Sequence, residues 1–211
     1  MLPHILLVDD HMLVRQGLRA LLEKEDFTVV AEGANGQEAI LLAEEYFPDV
    51  AILDLAMPVL NGLDAAVEIL HANPKIKVIL LTMHPEEHYV LAALRVGIKG
   101  YVLKSHAAKD LIQAIQEVYR GTAYLSPGIS QTVVDAYLSK SALPADSLTR
   151  RERQVLQLVA EGNTTKEVAG LLGVSIKTAE SHRTRLMDKL DIHGTAGLVR
   201  FAIRQGLIQL E

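Results

Sequence analysis

Three carboxylates, a hydroxyl and an amine punctuate the first half of this 211-residue chain: Asp9 and Asp10, then Asp54, then Thr82, then Lys104. Each directly follows or ends a short apolar run: Ile5-Leu6-Leu7-Val8, Val50-Ala51-Ile52-Leu53, Val78-Ile79-Leu80-Leu81 and Gly100-Tyr101-Val102-Leu103. If these runs are parallel strands of one sheet, their carboxyl ends share a rim and the five side chains converge there. Three like charges held together are costly unless a cation neutralises them, and an all-oxygen ligand set suits Mg2+. With a hydroxyl and an amine beside it, such a site suits phosphoryl transfer, in which positioning and charge neutralisation do most of the work. Asp54 is then the nucleophile and an acyl phosphate the product. A single Asp after a strand is more often a helix cap or turn residue; the signal lies in five such residues at four strand ends.

The elements that would hold these residues are legible. A fifth apolar run, Thr28-Val29-Val30-Ala31, joins the four above, and most of the runs are continuously apolar, as expected when helices cover both faces of a parallel sheet. Between and after them, segments 13–22, 37–46, 63–71, 87–96 and 108–119 carry apolar residues at three- and four-residue spacing. The pattern predicts an α/β fold, a doubly wound five-stranded parallel (βα)5 sheet spanning 1–122. Residues 123–147 read as a linker, partly helical over Ile129–Leu138. The rest, 148–211, is all-helical: Thr149 and Glu152 predict a capping box, Thr164 or Thr165 caps the next helix, and Ser175 caps a third. A fourth helix spans about Thr195 to Gln205, and the turn Leu172-Gly173-Val174-Ser175 marks a helix-turn-helix. In the third helix Ile176, Ala179, Leu186 and Leu190 are expected to face inward, leaving its basic and hydroxyl residues free for phosphates and base edges.

Composition narrows the classes further. With 49% hydrophobic and 22% charged residues, a disordered or collagen-like chain is excluded. There is no cysteine, which removes disulfides, thiolate metal sites and cysteine nucleophiles. No apolar run is long enough for a transmembrane helix, and no basic segment precedes an apolar one at the N-terminus, so a cytoplasmic location without membrane contact is expected. The net charge of -5 divides into an acidic stretch over 1–140 and a mildly basic one over 141–211, which suggests different partners for the two.

Val8-Asp9-Asp10-His11, Asp54-Leu55-Ala56-Met57-Pro58 with Asn61-Gly62, Leu81-Thr82-Met83-His84 and Gly100-Tyr101-Val102-Leu103-Lys104 resemble the two-component receiver domain. That resemblance implies Mg2+ held by Asp9 or Asp10, by Asp54 and by the Ala56 backbone carbonyl, with Asp54 phosphorylated by a sensor histidine kinase. It also implies that Thr82 and Lys104 bind the phosphoryl group and that Tyr101 moves with Thr82 as a switch. Val59 departs from the glycine common in that loop. Leu148-Thr149-Arg150-Arg151-Glu152, Gly162-Asn163-Thr164-Thr165-Lys166-Glu167-Val168-Ala169 and Val174-Ser175-Ile176-Lys177-Thr178-Ala179-Glu180-Ser181-His182-Arg183 resemble the LuxR-type helix-turn-helix. It implies that Glu180, Ser181 and Thr184 face bases, and that Thr165, Lys177, Thr178, His182, Arg183 and Arg185 mainly meet phosphates. Arg150, Ala179 and Gly197 depart from it, replacing the usual proline and valine and placing a glycine inside the last helix. The whole chain is similar to a NarL/FixJ-type response regulator, a non-enzymatic transcription factor that binds double-stranded promoter DNA, as a homodimer when phosphorylated or DNA-bound.

Other readings are weaker. An aspartate-nucleophile phosphatase of the haloacid type needs a second carboxylate where Ala56 stands. His84-Pro85-Glu86-Glu87-His88 matches the inverted zinc-protease pattern, but the proline keeps His84 out of the helix expected to hold His88. The spacing in Gly173-Val174-Ser175-Ile176-Lys177-Thr178 is wrong for a P-loop. A receiver whose tail binds a protein instead of DNA remains the other alternative.

Overall fold

Five strands alternate with five helices in the first part of the chain: β1 (His4–Val8), α1 (Met12–Lys24), β2 (Thr28–Gly33), α2 (Gly36–Tyr46), β3 (Val50–Asp54), α3 (Gly62–Ala72), β4 (Lys77–Thr82), α4 (Glu87–Val96), β5 (Gly100–Leu103) and α5 (Ala107–Tyr119). The computed structural model describes residues 2–83, 87–138, 148–205 and 207–208. All strand pairs are parallel, in the order β2-β1-β3-β4-β5, so the winding reverses between β1 and β3. In such sheets the crevice at the reversal point takes the ligand.

Strand alternation sorts the side chains. Ile5 and Leu7, Val50 and Ile52, Ile79 and Leu81, and Val102 face one side, where they pack with Leu18 and Leu22 of α1 and Leu111, Ile115 and Val118 of α5. Continuing the period of two puts Asp9, Asp54 and Lys104 on that same side at the strand ends. Thr82 and Tyr101 fall on the opposite side.

The sequence predicts five strands, and the sheet has six. Tyr124–Leu125 forms β6, parallel to β5 and paired with Gly100 and Tyr101. A two-residue strand next to Pro127 shows no periodicity for a sequence reading to detect. It leads into α6 (Pro127–Leu138), which opens on a proline at its first position and packs against α4 and β5. Within the segment expected to be a linker, residues 124–138 thus pack with the sheet. Buried Ser126 ties this extension down: its N–H donates to Tyr101 O (3.0 Å), its Oγ donates to Asp110 Oδ2 (2.7 Å) and accepts from Leu103 N–H (3.3 Å).

The helical unit contains α7 (Arg150–Ala160), α8 (Thr165–Leu171), α9 (Ile176–Leu190) and α10 (Thr195–Arg204). The capping box at Thr149 and Glu152 forms, and Thr164, not Thr165, caps α8 in a second one with Glu167. Ser175 Oγ accepts from Thr178 N–H (3.1 Å) to cap α9. Val155, Leu156, Leu158, Val159, Val168, Ala169, Ala179, Leu186, Leu198 and Ala202 make its core. Ile176 does not join them as expected: at the first position of α9 it is 48% exposed. Gly197, expected in mid-helix, sits in the first turn of α10, where a Cβ would come within 2.6 Å of Ile192 Cγ2. Its glycine therefore has a packing reason.

Candidate functional site

Asp9, Asp54 and Lys104 meet at the rim. Lys104 Nζ lies 2.8 Å from Asp9 Oδ2 and 2.8 Å from Asp54 Oδ2, and all three side chains are nearly sealed from solvent. Asp10 flanks them, more exposed. Among the described residues, one ligand atom each of Asp9, Asp10, His11 and Asp54 falls within 4.8 Å of the others. His11 is the member the sequence reading did not single out, although its position after the acidic pair is the available signal. Its backbone N–H donates to Asp9 Oδ1 (2.9 Å), and its ring Nδ1 is 2.8 Å from Asp10 Oδ1.

Burial pushes the Asp54 carboxyl up, to about 6; Lys104 pulls it down, and Asp9 and Asp10 push it up further. Burial also opposes charge on Lys104, but Asp54 and Asp9 outweigh it and hold the ammonium above its ordinary value. Three carboxylates against one ammonium leave two negative charges, which one divalent cation would balance.

The backbone around Asp54 is tightly specified. Asn61 Oδ1 caps α3 by accepting from Asp64 N–H (2.9 Å), and Gly62 N–H donates to Leu55 O (2.9 Å). A Cβ on Gly62 would lie 2.0 Å from Asp54 O, so only glycine lets α3 start this close to the strand end. Ala56 lies in the loop between them, half-buried, and Val59 adopts a left-handed backbone (φ 69°) that costs a β-branched residue about 1–3 kcal/mol. This is the position where the receiver resemblance leads one to expect glycine.

Thr82 ends β4, buried, next to Leu81, the register partner of Asp54. Tyr101 pairs with Leu80, is 1% exposed, and shares the sheet face of Thr82. His84, Pro85 and Glu86 of the zinc-protease match lie outside the described residues.

On α9, the residues Lys177, Thr178, Glu180, Ser181, Thr184 and Arg185 are exposed and share the outward side of the helix. His182 and Arg183 are half-buried at its edges. Arg183 is engaged within the unit: its guanidinium donates to Thr195 Oγ1 (2.8 Å) and Thr165 Oγ1 (3.3 Å), tying together the first turns of α8 and α10. Lys189 reaches inward to Glu152, with Nζ 2.6 Å from Oε2. The arrangement presents a helix with hydroxyls, a carboxylate and two cations, Lys177 and Arg185, that no other described residue pairs with, joined by a turn to a second helix.

Comparisons with known proteins find relatives for both regions of the chain. Residues 5–116 match the response regulator receiver domain family, and residues 146–202 match the luxR family of bacterial regulatory proteins. The chain is 37% identical over 213 residues to the oxygen regulatory protein NreC of Staphylococcus carnosus (strain TM300), covering 97% of this chain and 98% of that protein. The crystal structure of a LuxR-family two-component response regulator from Aurantimonas sp. SI85-9A1 is similar with a TM-score of 0.63 at 35% identity, over 65% of this chain and 99% of that one. RcsB from Salmonella enterica serovar Typhimurium, solved bound to a promoter in the presence of the phosphomimetic BeF3-, has a TM-score of 0.60 at 29% identity, over 94% of this chain and 97% of that one. Among the described residues, no helix is long and apolar enough to cross a membrane. The chain belongs to the two-component response regulators in which a receiver domain is joined to a LuxR-type DNA-binding domain.

Proposed function

We propose that Asp54 accepts a phosphoryl group from the phosphohistidine of a sensor kinase and that this modification controls how the helical unit binds promoter DNA. The observation that carries the proposal is the cluster of Asp9, Asp10 and Asp54 around Lys104, three carboxylates and one ammonium, a site one divalent cation short of neutrality. In the transfer, an Asp54 carboxylate oxygen attacks phosphorus, the P–N bond breaks, and the kinase imidazole leaves with the electron pair. Asp9, Asp10, Asp54 and the Ala56 carbonyl would hold Mg2+; when bound, it neutralises charge on the transferring oxygens. The hard-oxygen donor set fits that ion.

Lys104 is poised to move from a carboxylate pair to the new phosphoryl oxygens, which carry about -1.5 to -2 charge. The Thr82 hydroxyl donates to the same group, and Tyr101, on the same sheet face, follows it as the switch. On α9, Glu180, Ser181 and Thr184 face bases, while Thr165, Lys177, Thr178, His182 and Arg185 serve phosphates. Arg183 joins those contacts while bracing α8 against α10. Two copies, paired when phosphorylated or DNA-bound, then read two half-sites of a duplex. The chain works in the cytoplasm as a regulator and not as a turnover enzyme.

The test is labelling with acetyl phosphate and Mg2+, followed on phosphate-affinity gels for wild type and Asp54→Asn. Labelling of wild type alone is expected; labelling of Asp54→Asn to the same extent would remove Asp54 as acceptor.

A further inference from the structure

The outward side of α9 is poor in cations for a surface that meets a polyanion. Lys177 and Arg185 are exposed there, whereas Arg183 is bound to Thr165 and Thr195, and Lys189 is bound to Glu152. Glu180 stands toward one edge of this side, one turn after Lys177 and one turn before Thr184. It is exposed, and no described residue holds it by a hydrogen bond or ion pair. Phosphates repel such a group, and it can accept but never donate.

Within a major groove, only two bases offer a carboxylate a donor. Cytosine presents its N4 amine and adenine its N6 amine; guanine and thymine present acceptors to it. Adenine also sets its N7 acceptor beside N6, where it faces the second carboxylate oxygen. Cytosine has no such neighbour. We infer, resting on the DNA reading proposed above, that Glu180 is a specificity-determining residue that accepts a hydrogen bond from a cytosine N4 amine in each half-site. Its negative charge then lowers affinity for random duplex and raises discrimination, the opposite of what a phosphate-contacting cation does.

The experiment uses the full chain treated with acetyl phosphate and Mg2+. Wild type, Glu180→Gln and Glu180→Ala each select from a pool of random duplexes, and the affinities for the selected and single-base-altered duplexes are read by fluorescence anisotropy. Wild type is expected to enrich cytosine at one position per half-site and to lose about tenfold in affinity when it is exchanged for guanine or thymine. Glu180→Gln moves that preference toward adenine, whose N6 and N7 match a side-chain amide. Glu180→Ala flattens the position and binds unselected duplex more tightly than wild type does. Enrichment of the same bases with the same strength by all three proteins overturns the inference, as does a Glu180-dependent position at which wild type takes another base. If wild type enriches no sequence, the DNA reading itself falls with it; the two failures are therefore distinguishable.

Discussion

Each half of the chain buries a carboxylate against a lysine, and the two pairs are built to opposite ends. Glu152 is 3% exposed, receives Lys189 Nζ at 2.6 Å and accepts from Thr149 N–H at 2.8 Å in its own capping box. Burial raises its pKa, but Lys189 and Thr149 outweigh that and hold the carboxyl below its ordinary value. Asp54 is 2% exposed and shares its one lysine with Asp9; burial outweighs the pull of that lysine, Asp9 adds to it, and the carboxyl is pushed up to about 6. A buried charge with all its partners is architecture. One whose partners fall short marks the place where something else is to be bound, and strongly perturbed titration is a recognised sign of function for that reason.

That contrast can be broken at several points. The largest effect is expected for Lys104→Met, which leaves Asp9 and Asp54 buried without a counter-charge and costs about 3–5 kcal/mol in urea unfolding followed by circular dichroism. Next, Asp54→Asn removes the strained charge. A rise from 3.8 to about 6 corresponds to about 3 kcal/mol at ~1.4 kcal/mol per unit, so the metal-free variant gains up to about 3 kcal/mol at pH 7. Because the folded-state value is raised, the wild-type carboxyl favours folding most in acid and loses that contribution as pH rises through about 6. The advantage of Asp54→Asn over wild type should therefore grow between pH 4 and 7.

Glu152 reverses this sign: its depressed value adds stability at neutral pH that is lost as pH falls below the ordinary carboxylate range. Lys189→Met should cost about 1 kcal/mol at pH 7, since the lysine is partly exposed, and nothing at a pH where Glu152 is protonated. The smallest effect belongs to Gly197→Ala. Its gain in helix propensity, about 1 kcal/mol, is offset by the displaced Ile192 side chain, leaving thermal melting nearly unchanged.

What the sequence made legible follows from which forces are periodic or local. Continuous apolar runs marked the first five strands, and their ends marked Asp9, Asp10, Asp54, Thr82 and Lys104, because a parallel sheet leaves no other place for them. Capping boxes need only four residues, so Thr149 with Glu152 was readable directly. The misses are all tertiary. β6 is too short to carry a period. Ile176 has an apolar side chain that periodicity turns inward, yet it sits at the start of α9, ahead of the core that Ala179 and Leu186 reach. Arg183 reads as one more basic residue of a reading helix, and only the fold shows Thr165 and Thr195 holding it. Likewise, the reason for Gly62 exists only once α3 is docked against the Asp54 carbonyl.

The central claim is that chemistry at Asp54 governs the grip of the helical unit on a duplex. It is tested most directly by anisotropy titration of a selected fluorescent duplex with wild type and Asp54→Asn, each with and without acetyl phosphate and Mg2+. Phosphorylation is expected to tighten binding by wild type at least tenfold and to leave Asp54→Asn unmoved. Equal binding by wild type in both states, or equal tightening of Asp54→Asn, would contradict it.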